Sequence, residues 1–106
     1  MAMSPQVFHI LLSLADQDLH GYAIITDISR RTDGQVVLTA STLYAALKRL
    51  LDEELIDELE RPVEDDPRRR YYRITRKGRA AGQAEAARLD ALAQMARAKR
   101  WLPRSR

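Results

Sequence analysis

Apolar residues recur along this chain at more than one period, and the changes of period divide it into elements. Val7, Ile10, Leu11 and Leu14 follow one another at three- and four-residue steps, which places them on one helical face, and Phe8, Leu12 and Ala15 widen that stripe. Ser4-Pro5 makes a helix start, with Ser as cap and Pro where its missing N–H costs nothing. A stripe this broad predicts burial on more than one side, including against a second subunit. Residues 16–21 (DQDLHG) read as a short polar connection. A second helix is expected from Tyr22 to about Arg31, burying Tyr22, Ile25 and Ile28 or a closely rotated set. Asp33-Gly34 ends it, since Gly34 tolerates the left-handed conformation. Val36-Val37-Leu38 is short and β-branched, and predicts a small strand leading into the next helix.

Residues 39–56 (TASTLYAALKRLLDEELI) organise the remainder. Leu43, Leu47, Leu50 and Leu51 form one stripe, and Thr39 can cap the first turn. The other side carries Ser41, Thr42 and Ala45, which are small, then Tyr44, then the cations Lys48 and Arg49. Small hydroxyl side chains at a helix N-terminus followed by cations suit close approach to a phosphate backbone. The same pattern also fits an ordinary amphipathic helix with a solvated outer face.

Two extended pieces follow, residues 56–61 and 70–74, the second with Tyr72 and Ile74 on one face. Pro62-Val63-Glu64-Asp65-Asp66-Pro67 lies between them and is rich in turn formers, so the unit reads as a β-hairpin with a long tip. Arg68, Arg69 and Arg70 stand where the hairpin turns back. They are candidates for phosphate and minor-groove contact; pairing with Glu64, Asp65 and Asp66 across the loop is the alternative. From Thr75, another possible cap, a helix is predicted to about Leu102, stopped by Pro103. Ala81, Ala84, Leu89, Leu92, Met95 and Ala96 share its broad face with Arg88, and Trp101 lies roughly opposite Leu89 and Leu92. The fold class is therefore mainly α with a small β-hairpin: a winged helix-turn-helix over residues 1–75, then a long C-terminal dimerisation helix and basic tail over 76–106. Phe8, Leu11, Leu12, Leu89, Leu92, Met95 and Ala96 are the candidate dimer contacts.

Composition sharpens this picture. With 45% hydrophobic residues, 31% charged, one Phe, one Trp and no cysteine, the chain is a small globular domain with an aliphatic core. The lack of cysteine removes disulfides and thiolate metal sites and fits a cytoplasmic protein. No apolar run is long enough to cross a membrane, and no signal pattern opens the sequence. The net charge of +3 conceals a division. Residues 1–67 hold 5 Lys/Arg against 13 Asp/Glu, whereas residues 68–106 hold 13 against 2. A basic part this concentrated points to a polyanion partner. Two histidines, no Gly-rich phosphate loop and no paired-acid motif leave nothing to assign as nucleophile or base, so neither enzyme activity, cofactor nor metal is expected. His9 has no second ligand nearby in sequence.

Several of these segments resemble the PadR family of bacterial transcriptional regulators: His20-Gly21-Tyr22-Ala23-Ile24, Ser41-Thr42-Leu43-Tyr44 with Leu47-Lys48-Arg49-Leu50, Leu55-Ile56, and Arg69 to Thr75 (RRYYRIT) closing with Gly78. The resemblance runs from about Phe8 to Gly78 and is to the short branch with a single C-terminal helix. It implies a homodimeric winged-helix DNA-binding regulator, commonly a repressor, released by a small molecule in several members. Ala40-Ser41 stand where the family often has Pro-Gly, and Ala45 where it often has Pro. Glu54 stands where Gly usually follows the third helix. If that site needs positive φ, Glu costs on the order of 1 kcal/mol; otherwise the helix ends differently and the wing is re-aimed. On this reading Ser41, Thr42, Tyr44, Ala45, Lys48 and Arg49 with Arg68, Arg69 and Arg70 contact double-stranded DNA at a roughly palindromic operator. A small hydrophobic inducer would sit among Phe8, Leu12, Leu92, Met95 and Trp101. A winged-helix protein-interaction module docking an acidic partner is the rival, supported by the acidic residues between Asp52 and Asp66.

Overall fold

The computed structural model describes residues 3–60 and 70–104. The elements in order are α1 (Pro5–Ser13), β1 (Leu19–His20), α2 (Gly21–Arg31), α3 (Ala40–Asp52), β2 (Ile56–Leu59), β3 (Tyr71–Ile74) and α4 (Arg76–Ala98). Helices α1, α2 and α3 enclose the core through Ile10, Leu14, Ile24, Ile28, Leu43, Leu47 and Leu50, all essentially inaccessible to solvent. Leu55, Ile56 and Tyr72 close it from the sheet side. The fold is thus mainly helical with a small antiparallel sheet.

The sheet has three strands in the order β1-β3-β2. β2 and β3 form the hairpin, with Ile56 opposite Ile74 and Leu59 opposite Tyr71. The third strand is Leu19–His20, inside the stretch expected to be a plain connection; it pairs Leu19 with Tyr72 and His20 with Tyr71. The strand expected at residues 36–38 does not form. Val36 N–H instead donates to the Thr32 hydroxyl (3.0 Å), Val37 is exposed, Leu38 is buried in the core and Val36 packs against it half-buried. The Val36 bond ties the segment to the end of α2, and the segment joins no strand of the sheet.

In α2 the buried set is Gly21, Ile24, Asp27 and Ile28, and Tyr22 is 71% exposed. The helix is therefore rotated from the face expected to hold Tyr22. Asp27 is placed inward because it gathers a polar cluster: the Ser13 hydroxyl donates to it (2.7 Å), as do Arg31 Nε (2.8 Å) and Arg30 (2.9 Å). Arg31 also donates to the Ser13 hydroxyl and the His9 carbonyl, so the cluster ties α1 to α2.

Three helices end in one way. The residue after each C-cap takes a left-handed conformation: Asp33 (φ 52°), Glu54 (φ 61°) and Arg100 (φ 64°). The next N–H then reaches back to the last turn, Gly34 to Ser29 O, Leu55 to Leu50 O and Trp101 to Ala96 O. Gly34 also has positive φ, but Asp33 is the residue that closes α2. At α4 this ending stops the helix at Ala98, short of the expected Leu102, with the left-handed Arg100 preventing its continuation. Beyond α3 the left-handed Glu54 aims its carbonyl at the Thr75 hydroxyl (2.8 Å), and Thr75 caps α4 by accepting from Gly78 N–H. Gly78 abuts Leu55 so closely that a Cβ there would lie 1.9 Å from the Leu55 carbonyl oxygen.

Candidate nucleic-acid interface

The site is built on α3. Its inner face, Leu43, Leu47 and Leu50, is buried, which fixes the rotation of the helix and turns Ser41, Thr42, Tyr44, Ala45, Lys48 and Arg49 outward. The first turn is closed by Thr39, whose hydroxyl accepts from Thr42 N–H (3.2 Å) and lies within 2.9 Å of the Thr42 hydroxyl and 3.3 Å of that of Ser41. Three hydroxyls thus cluster at the positive end of the helix dipole, on a face with no bulk until Tyr44. Lys48 has no carboxylate partner among the described residues, whereas Arg49 lies 3.7 Å from Glu53 one turn on.

Tyr44 is half exposed and its ring is held from behind. A Cβ added at Gly21 would meet its hydroxyl oxygen at 2.7 Å, so the absence of a side chain at the start of α2 makes room for the phenol. Tyr72 on β3 is buried. Desolvation pushes its phenol up from the ordinary tyrosine range, and the nearby Glu58 and Tyr44 add to that, partly offset by Arg70. His20 caps α2 through Nδ1, which accepts from Ala23 N–H, and its ring meets Tyr71 edge-on at 5.4 Å. The start of α2, the outer face of α3 and the hairpin are therefore joined through aromatic residues. Gly21 and His20 are the supporting residues that periodicity missed, whereas the alternation of the second hairpin limb did place Tyr72 on one face with Ile74. Gly21 and Tyr44 are far apart in sequence, and no local pattern reports such a contact.

Of the wing arginines, Arg70 is exposed and lies 3.6 Å from Glu58 across the hairpin, while Arg68 and Arg69 lie outside the described residues. Four further arginines are tethered within the chain, two of them to carboxylates. Arg73 makes a two-pronged pair with Asp18 (3.1 and 2.8 Å), which bolts the hairpin to the α1–α2 connection. Hydrogen bonding to Asp18 raises the Arg73 pKa further. Arg79 donates to the Ala15 carbonyl, Arg88 to Glu85 and Arg97 to the Pro103 carbonyl.

The residues expected at a dimer contact separate into two groups. Leu11 is 2% exposed and belongs to the core of its own chain, whereas Leu12, Leu89, Leu92 and Met95 are exposed, and Phe8 and Ala96 are half-buried. Phe8 and Leu12 line a cleft between α1 and α4 with Gly82, Gln83 and Ala86; Leu92, Met95 and Trp101 are not part of it. The five residues expected to hold an inducer therefore do not share a cavity within one chain. Among the described residues no cluster suited to a metal ion occurs, and no helix is long and apolar enough to cross a membrane.

Comparison with known proteins agrees with this geometry. An uncharacterized protein X of Lysinibacillus sphaericus is 39% identical over 71 residues, covering 67% of this chain and 65% of that protein. An uncharacterized 37.1 kDa protein in transposon TN4556 of Streptomyces fradiae is 38% identical over 77 residues, 73% of this chain and 21% of that protein. The matched region thus spans just under two thirds of one relative and about a fifth of the other. The structure of a transcriptional regulator from Clostridium thermocellum superposes with a TM-score of 0.75 at 30% identity, covering 84% of this chain and 86% of that one. The family model described as transcriptional regulator PadR-like matches residues 10–84, from α1 through the first turns of α4. The chain belongs to the PadR-like family of transcriptional regulators.

Proposed function

We propose that the chain is a sequence-specific DNA-binding regulator that acts as a homodimer and represses by occupying a roughly palindromic operator. The observation that carries this reading is the outer face of α3, where exposed Ser41, Thr42, Ala45 and Lys48 leave a low, hydroxyl-rich, cationic surface backed by a rigid core. Such a face enters a major groove with its N-terminal turns against the backbone and bases. Tyr44 and Arg49 flank it, and Arg68, Arg69 and Arg70 of the wing serve the adjacent backbone or minor groove. Residues 1–75 carry the DNA face. Residues 76–106 carry the dimer contact, through Leu89, Leu92, Met95 and Ala96 with Phe8 and Leu12 of the partner's α1. Two such copies put their α3 helices into successive major grooves, and repression follows from occupancy alone. A small hydrophobic inducer entering this seam near Trp101 would change the spacing of the two α3 helices and release the operator.

Exposed Asp52, Glu53, Glu54, Asp57 and Glu58 lie at the far end of α3 and on β2. They repel phosphate, which favours docking through the N-terminal half of α3; the same acidity is what a protein-docking reading would use. Selection of bound duplexes from a random pool tests the two against each other. A symmetric consensus supports the regulator, and no enrichment rejects it. On the selected site, Lys48→Ala is expected to weaken binding across sequences and reduce the salt slope by about one. An unchanged slope removes Lys48 from the phosphate contact.

A further inference from the structure

The cleft between α1 and α4 has a volume of about 150 Å³ and is lined by Phe8, Leu11, Leu12, Gly82 and Ala86, with Arg79 at its rim. We infer that it receives the indole of Trp101 from a second copy of the chain. Trp101 is 83% exposed, an expensive position for the largest apolar side chain, yet its backbone is not loose. Its N–H donates to Ala96 O (2.9 Å), and Arg97 donates to the Pro103 carbonyl just beyond (3.0 Å), so the indole is presented at the end of a rigid stalk. It cannot reach the cleft of its own chain, because the α4 helix separates Gly82 from the Trp101 end by roughly 25–28 Å. The occupant must come from another molecule.

Register points to a copy of this chain. The side of α4 that Gly78, Ala81, Gly82 and Glu85 turn toward their own domain continues past the domain's edge as Leu89, Leu92 and Met95, all exposed. Two such helices packed antiparallel and crossing at Leu92, the middle of that stripe, set Ala98, the last residue of one α4, level with Ala86 of the other, which lines the cleft; Trp101 is folded back against that last turn by its N–H bond to Ala96 O and so stands beside the cleft. A cavity of this size takes a six-membered aromatic ring, and the Arg79 guanidinium, positioned by its bond to the Ala15 carbonyl (2.7 Å), faces the ring as a cation over a π surface. The inference rests on the homodimer proposed above and adds that each copy completes the other's cleft.

Trp101 is the chain's one tryptophan, so fluorescence of the intact protein reads its surroundings directly. Acrylamide quenching is measured beside sedimentation equilibrium over a range of concentrations. The expected result is a dimer whose indole is shielded and blue-shifted relative to free tryptophan. Ala86→Phe fills the cleft from an exposed position and should restore quenching; Gly82→Leu, which fills it from deeper, should do the same. Trp101→Ala should weaken the dimer on the order of tenfold or more. A dimer with a freely quenched indole overturns the inference and leaves the homodimer standing, whereas a monomer at every concentration overturns both. Shielding that survives both fillings places the indole elsewhere and overturns it. So does shielding that appears only when anilinonaphthalene sulfonate is added, because the cleft then takes a small molecule instead.

Discussion

Glu54 is held in a left-handed conformation that its Cβ disfavours, and three contacts keep it there. The Leu55 N–H returns to Leu50 O, the Glu54 N–H to Leu51 O, and the Glu54 carbonyl accepts from Thr75. Replacing Glu54 with Gly removes the strain and keeps all three, so Glu54→Gly should stabilise by about 1 kcal/mol and raise the melting temperature by about 4–8 °C. A thermal melt that does not rise would mean that α3 ends in another geometry. Asp27 is the opposite case, a charge whose surroundings favour it. Burial pushes its carboxyl up, but hydrogen bonds from Arg31 and Ser13, the Arg31 charge and Arg30 outweigh burial and hold it below the ordinary carboxylate range. With the folded pKa below the unfolded one, its stabilisation is complete above about pH 4 and is lost as pH falls through the folded value. Asp27→Asn should therefore cost about 2 kcal/mol at neutral pH and flatten the acid limb of a urea-denaturation series. His9 adds a second window. Burial and then the Arg31 charge lower its pKa from 6.5, so its contribution is present above that value and fades as pH falls through the folded one.

Among the elements, the helix starts are local and the junctions are not. Ser4, Thr39 and Thr75 each cap the helix that follows them, as their spacing from the first apolar residue implies. The junction of α3, β2 and α4 depends on contacts between distant segments. Thr75 N–H donates to Leu55 O (3.1 Å), and Gly78 brings the backbone of α4 against the same carbonyl. Gly78→Ala would force that interface apart and should cost about 3 kcal/mol, measured by urea unfolding. Because the displaced element is the base of α4, the variant should also lose α4-dependent self-association if it folds. A neutral effect would show that the junction can open without penalty. Gly78 stood in the sequence as the end of a family resemblance, with nothing nearby to show that Leu55 would sit against it.

At the scale of the molecule, the shape is elongated, 54 × 28 × 24 Å, because α4 overhangs the winged-helix core. Its free stripe of Leu89, Leu92 and Met95 is the surface that the proposed dimer covers. Leu92→Asp places a charge at the middle of that seam and should give a monomer in sedimentation. Operator affinity should then fall by at least about a hundredfold, since two half-sites are no longer held by one particle. A dimer that survives this change would move the interface off α4. The charge division along the chain also looks different in three dimensions. Arg73 and Arg88 are paired with the carboxylates of Asp18 and Glu85, and Arg79 and Arg97 are tied to backbone carbonyls that hold their positions without cancelling their charge, so the basic surplus of the second half is partly neutralised within the chain.

The amino-acid sequence by itself determined the four helices, the N-caps Ser4, Thr39 and Thr75, the inward stripe of α3 and the hairpin that follows it, because each depends on residues within one or two turns of each other. It also contained the family resemblance and the oddity of Glu54. Tertiary structure alone decided that Leu19–His20 would be a strand, that Tyr22 would face solvent, that Asp27 would be buried among arginines, and that Leu11 would belong to the monomer core. It likewise decided that Gly21 would shelter Tyr44 and that Arg73 would hold Asp18. These features join distant segments or depend on how a helix is rotated against its neighbours, and the energy that selects them arises only when separate faces compete for the same buried space.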